Sequence, residues 1–202
     1  MDSHRHFITH KPYGYLSQFI TNERTRKNSK MLGELYDFPD GTMSIGRLDK
    51  DSEGLLLLTT DGKVSYSITT GRKVEKEYYV QLDGLIDDAS IATLTSGIEI
   101  SIRGDIYKTT PCKAHRLDTE PNFLPRTKKI REDRHGPTCW LSITIKEGKF
   151  RQVRKMTAAV GFPTLRLMRV RIGGVHLNDL QAGEVVEVEE FWSLKSKSLL
   201  KP

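Results

Sequence analysis

Between Ile45 and Gly62 the chain reads IGRLDKDSEGLLLLTTDG, and its first half sets Asp49, Asp51 and Glu53 at alternate positions beside Gly54. Carboxylates so spaced support calcium coordination, metal-dependent cleavage of RNA, or covalent attack by one ionised carboxylate. Calcium makes the strictest demands. An EF-hand loop needs oxygen ligands at positions one, three and five, glycine at six and a bidentate glutamate at twelve. Counted from Asp49, the first four demands are met, but the twelfth position is Thr60, which cannot clamp an ion with two oxygens. Residues 55–60 form a short apolar run ending in threonines, so a buried strand rather than an exiting helix should follow the turn. A solvated hairpin turn is the plain alternative. Against it stands Arg47, a cation two residues before Asp49. A second basic group can come from the segment 150–160, where Arg151, Arg154 and Lys155 fall at i, i+3 and i+4 on one helix face. A carboxylate held by arginine stays ionised and oriented, as a covalent nucleophile requires. The spacing leaves open whether that helix meets the turn.

Other chemistries are signalled less. Cys112-x-x-His115 and His135-x-x-x-Cys139 supply the residue types of a zinc site. Cys112 and His115 fall in an expected strand, however, where the first and fourth residues of a run face opposite sides. No metal is therefore expected. There is no Gly-x-Ser-x-Gly elbow, no cysteine-protease signature and no phosphate-binding glycine loop; Gly173-Gly174 reads only as a turn.

The elements that must hold these residues can be read from hydrophobic period and turn chemistry. Strands are expected at 7–9, 42–45, 55–60, 76–84, 105–117, 138–146, 164–172 and 184–189. Helices are expected at 30–36, at 61–68 with Asp61 as cap, at 87–96, and at 150–160. In the last, Phe150, Val153, Met156 or Thr157, and Val160 share a face, and Gly161 ends it. A turn built on Pro12 and Gly14 follows the first strand, residues 24–30 read as a polar loop, a proline-rich basic loop spans 119–137, and the tail SLKSKSLLKP reads as loose. Strands outnumber helices without alternating with them. The expected fold class is α+β, with a mixed, largely antiparallel sheet flanked by helices.

At 202 residues the chain fits one large domain or two lobes. Hydrophobic residues make up 37% and charged residues 29%, and no apolar run is long enough for a membrane span. Two cysteines, and an opening MDSHRHFITHKP without an apolar signal stretch, lead to the expectation of a reducing, cytoplasmic setting. The net charge is +6 and the pI near 9.3. Basic residues cluster at 24–30, 126–134, 146–155 and 166–171, with Phe19, Phe123, Trp140 and Phe150 among or beside them. Cations that neutralise phosphate, with rings that stack bases, suit RNA with unpaired or extruded nucleotides. Solvated charged faces with the rings in the core are the bland alternative.

The stretch GRLDKDSEGLLLLT resembles the central motif of the RsuA family of RNA pseudouridine synthases. KPYGYLS resembles that family's opening motif, KEYYV its Lys-x-Tyr segment, EGKFRQVRKM its Gln-Val-basic helix, and RLMRVRIGGVHLNDLQAGE its closing block. Five motifs in the right order make the likeness specific. One departure is Ser52, where the family usually has threonine. Within the family the chain most resembles the branch that modifies large-subunit ribosomal RNA. Its opening motif begins by Lys11, so no N-terminal S4 domain is expected. The resemblance implies the pseudouridine synthase fold, a single catalytic domain over 1–202 (in one or two lobes) and a central active-site cleft. It implies isomerisation of one uridine without cofactor or metal. Asp49 takes the place of the nucleophile toward ribose or base, Tyr78 that of the ring under the extruded base, and Arg154 that of the cation paired with the aspartate. Leu167 is implied as an apolar wall. Arg47, Lys11, Arg151 and Lys155 are implied to contact RNA. The implied partner is 23S ribosomal RNA or a pre-50S particle, met by a monomer. A non-catalytic ribosomal RNA-binding or assembly protein would show the same basic patches. A metal-dependent nuclease using Asp49, Asp51 and Glu53 is the third possibility.

Overall fold

The computed structural model describes residues 4–20, 29–71, 74–126, 128–130 and 135–192. The polar loop at 24–28, residues 127 and 131–134 of the basic loop, and the tail from 193 lie outside the described residues. The chain divides into two compact units, one of residues Met1–Val74 with Arg169–Pro202 and one of Glu75–Met168.

The first unit opens with β1 (His6–Lys11), β2 (Tyr15–Leu16), β3 (Lys30–Met31), β4 (Met43–Ile45) and β5 (Glu53–Thr59), followed by helix α1 (Gly62–Tyr66). β5 is buried along its whole length. Its four consecutive leucines are what a strand needs when both of its faces are covered. On one edge it pairs antiparallel with β1, Phe7 opposite Leu58 and Thr9 opposite Leu56. β4 is also antiparallel to β5, Met43 opposite Thr59 and Ile45 opposite Leu57, so the acidic turn is the link of a β4–β5 hairpin. Phe7, Leu32, Leu56 and Leu58 form the core on one face, with Phe19, Leu35, Phe38 and Val185 packed against it. Leu56→Ala should therefore cost about 2–5 kcal/mol of stability, read as a lower urea midpoint at unchanged slope. α1 starts where expected: the Asp61 carboxylate accepts the Lys63 and Val64 amides at 2.7 and 3.4 Å. The helical spacing at 30–36 yields only one tight turn, Leu32–Glu34, with Leu32 fully buried. So short a segment cannot propagate a helix, and packing of Leu32 decides its shape.

The second unit begins with β6 (Lys76–Asp83), α2 (Asp88–Ser96), β7 (Glu99–Ile102), β8 (Asp105–Lys108), β9 (Lys113–Arg116) and β10 (Thr138–Ile145), then α3 (Gln152–Ala159). β10 lies antiparallel to β6 on one edge and to β9 on the other. The expected strand 105–117 is broken at 109–112, where Pro111 cannot donate to a ladder. β7 was not foreseen; it pairs with β8 as a hairpin whose two turn residues, Arg103 and Gly104, both have positive φ. Gly97 ends α2 at φ 91, and a Cβ there would meet the Thr109 carbonyl oxygen at 2.5 Å. Strand β11 (Thr164–Ile172) carries the chain from the second unit back into the first, which closes with β12 (Val175–His176) and β13 (Val185–Val188). β13 flanks β1, Phe7 opposite Glu187. The fold is thus α+β and largely antiparallel, with few helices.

Candidate active site

The backbone of the acidic turn is clasped by the KPYGYLS segment. The Ser17 hydroxyl donates to the Leu48 carbonyl at 2.8 Å and accepts the Leu48 amide at 2.9 Å. The Gly14 amide donates to the Lys50 carbonyl at 2.8 Å, and the Ser52 amide closes the turn on the Asp49 carbonyl at 3.0 Å. Gly14 sits at φ 88, a conformation that favours glycine. Leu48 and Ser52, on either side of Asp49, are buried, whereas Asp49 is half-buried and Arg47 is exposed. The two motifs therefore build one rigid turn that presents residue 49.

Beneath the turn lies a buried set of charges. Lys11 was expected on RNA, but it is fully buried, and its ammonium donates to the Pro12 and Tyr15 carbonyls at 3.0 and 2.7 Å. Burial pushes its pKa down to about 7; Glu53 resists this most among the carboxylates, then Asp51, and Asp49 less than either. The buried Arg169 adds to the lowering, and its Nε donates to the Leu55 carbonyl at 2.7 Å. Below about pH 7 the ammonium is charged in both folded and unfolded chains, and its burial costs stability throughout. Between about pH 7 and 10.4 the unfolded chain holds the proton and the folded chain sheds it, so stability rises with pH. The wild type should gain up to about 1.4 kcal/mol per pH unit over Lys11→Met in that window, measured by urea unfolding at pH 7 and pH 9.

In the second unit Tyr78 faces Ile143 across the β6–β10 ladder and shares the buried face of β6 with Val80 and Leu82. Tyr79 takes the other face, its ring 6.2 Å from that of Phe123. Arg154 is half-buried on α3, with Nη1 donating to the Thr164 carbonyl at 3.4 Å. Arg151 caps α3 in a left-handed conformation, φ 51 and ψ 35. Lys155 donates its ammonium to the Ser101 carbonyl at 2.6 Å, and Leu167 is buried. The helix is shorter than its spacing indicated: Phe150 precedes it and is exposed, and its buried residues are Gln152, Val153, Met156 and Thr157. Lys11, Arg47 and Asp49 thus belong to the first unit, and Tyr78, Arg151, Arg154, Lys155 and Leu167 to the second.

Sequence reasoning missed several residues that shape these groups. Ser17 and Arg169 are two. Glu147 and Gln152 are the others: Glu147 accepts the Tyr107 hydroxyl, the Thr110 amide and the Gln152 side-chain amide, while the Gln152 oxygen accepts the Lys149 amide. Only the motif spacing hinted at the last pair. The basic cluster at 166–171 proves partly interior, since Arg166 and Arg169 are both buried. Cys112 donates to the Leu94 carbonyl, and Cys139 is buried and accepts the Ile86 amide. Among the described residues no three His, Cys, Asp or Glu side chains gather as a metal ion would need.

Residues 5–159 match the protein family described as RNA pseudouridylate synthase. The chain is 42% identical over 178 residues to ribosomal large subunit pseudouridine synthase E of Xanthomonas campestris pv. campestris, covering 88% of this chain and 91% of that protein. It is 40% identical over 183 residues to the synthase E of Vibrio parahaemolyticus, covering 90% of this chain and 73% of that one. A solved structure described as a pseudouridylate synthase is similar at a TM-score of 0.73 and 29% identity, over 93% of this chain and 71% of that chain.

Proposed function

Since the chain belongs to the RNA pseudouridylate synthase family, we propose that Asp49 is the nucleophile with which it isomerises a uridine of large-subunit ribosomal RNA. The observation that carries the assignment is a division of labour among three carboxylates. Glu53, buried, and Asp51 are the stronger counter-ions of Lys11; Asp49 acts on it least and stands half-exposed at the tip of a braced turn. Glu53 and Asp51 thus act more on the buried Lys11, and Asp49 is the carboxylate that the braced turn presents half-exposed. The RNA substrate class follows from the relatives, whose names specify the ribosomal large subunit.

In the reaction the bond from N1 to the ribose C1′ breaks, the uracil turns, and a bond forms from C5 to C1′. C5 loses a proton and N1 carries one, so atoms and electrons balance without any co-reactant. The product has the mass and length of the substrate. Reaching the base inside a helix costs about a few kcal/mol of unstacking. Arg47, exposed beside Asp49, offsets part of that by contacts to phosphate and the vacated stack. Tyr78 stacks on the flipped uracil, an interaction worth roughly 1–3 kcal/mol. Arg154 takes the part of the family's active-site cation, and Leu167 that of an apolar wall for the base. Arg151 and Lys155 face the RNA backbone. Lys11 acts from below, as the brace of the turn. We infer that 1–202 works as a single catalytic domain. We infer a cytoplasmic monomer that meets 23S RNA or a pre-50S particle; no helix among the described residues is long and apolar enough to cross a membrane.

The test is incubation of the purified protein with deproteinised large-subunit RNA, with and without chelator, followed by pseudouridine mapping. One new pseudouridine in intact RNA is expected under both conditions. Shortened RNA with activity lost to the chelator would favour a nuclease, and binding without pseudouridine an assembly protein.

A further inference from the structure

We propose that Phe150 and the cations around it form a stacking platform for an unpaired base of the substrate RNA near the target uridine, an inference that rests on the reading that this protein acts on RNA. Of the four rings found among basic residues in the sequence, the fold absorbs three. Phe19 packs edge-on against Phe38 at 5.3 Å. Phe123 lies against Tyr79 and Trp140 at 6.2 and 5.8 Å. Trp140 is buried and donates Nε1 to Glu120 at 3.3 Å. Phe150 remains 56% exposed. Burying a phenylalanine ring stabilises a fold, so leaving this one outside forgoes a large part of that gain.

Its display is held in place. Glu147 takes three donors from Tyr107, Thr110 and Gln152, and Gln152 accepts the Lys149 amide at 2.9 Å, so the loop before α3 is tied at both ends. The residue after Phe150, Arg151, accepts φ 51, a strained conformation for a non-glycine residue. One cation lies over the ring, and others are close to it in the chain. The Lys155 ammonium lies 5.2 Å from its centroid, and the Lys149 ammonium 4.8 Å from that of Tyr107. Arg103, exposed at the tip of the β7–β8 hairpin, also takes positive φ, where asparagine or glycine is usual. Across 99–108 and 146–155 basic residues outnumber acidic ones seven to three. Of the three acids, Glu147 is engaged in the loop, and Glu99 and Asp105 sit on the hairpin. A ring flanked by cations fits a base flanked by phosphates. Phe150 is four residues from Arg154, at most about 14 Å along the backbone, which limits the stacked base to the neighbourhood of the target.

The experiment measures binding of deproteinised large-subunit RNA transcript to wild type, Phe150→Ala, Phe150→Trp and Lys149→Gln as a function of salt, with pseudouridine formation assayed in parallel. Phe150→Ala should weaken binding by about 5- to 100-fold with the loss falling on KM rather than kcat, and Phe150→Trp should restore it. Lys149→Gln should lower the slope of log affinity against log salt by about one. The exposed position makes an unchanged melting temperature the expected control. Affinity of Phe150→Ala within about twofold of wild type, or no recovery with tryptophan, overturns the platform. A wild type that binds this RNA yet makes no pseudouridine refutes the catalytic reading, while the affinity ratios still judge the platform.

Discussion

Asp49→Asn is expected to lower pseudouridine formation by about 10⁴-fold or more while RNA affinity stays nearly intact. The amide keeps the shape of the carboxylate and removes the electron pair that the proposed attack needs. It also removes a negative charge from a surface that meets phosphate, so binding should not suffer. The neighbouring acids set the contrast. Glu53 is buried and is the leading carboxylate counter-ion of Lys11, so Glu53→Gln should act on stability rather than on the chemical step. Single-turnover rates with saturating enzyme, read beside urea unfolding, separate the two effects. A Glu53→Gln variant that is stably folded and as inactive as Asp49→Asn would assign the nucleophile wrongly.

Arg154→Gln is expected to cost about 10²–10³-fold in kcat, with Arg154→Lys recovering part of the loss. The guanidinium is half-buried and anchored through Nη1 to the Thr164 carbonyl at 3.4 Å, so its direction is set before substrate arrives. Lysine keeps the charge and loses the planar fork that grips a carboxylate. If Arg154 works through Asp49, adding Arg154→Gln to Asp49→Asn should cost nothing further, because a cation that orients an absent carboxylate has no task. Additive losses would mean that Arg154 serves RNA binding or the fold instead.

Much of this was legible in the residues. The β4–β5 hairpin, α1 with its Asp61 cap, α2, β6, β10 and β11 follow from period and turn chemistry, because local pattern and burial agree there. The tight turn at Leu32 was not legible, since the burial of one leucine is decided by distant parts of the chain, whereas the break around Pro111 has a local cause in the sequence itself. Among site residues, spacing alone could isolate the acidic turn and the basic face of α3. It could not separate Asp49 from Asp51 and Glu53; the resemblance of the motif singled out Asp49, and in the fold the other two act more on the buried Lys11. Lys11 and Arg169 look like surface charges in a one-dimensional reading. Only the fold reveals that they lie in the interior beneath the turn.

The most direct measurement maps pseudouridines across the ribosomal RNA of cells lacking this gene, then of the same cells carrying wild type or Asp49→Asn. One large-subunit uridine should lose its modification, regain it with the wild type, and stay unmodified with the asparagine variant. A complete pseudouridine map without the gene, or full restoration by Asp49→Asn, would contradict the assignment of catalysis to that carboxylate.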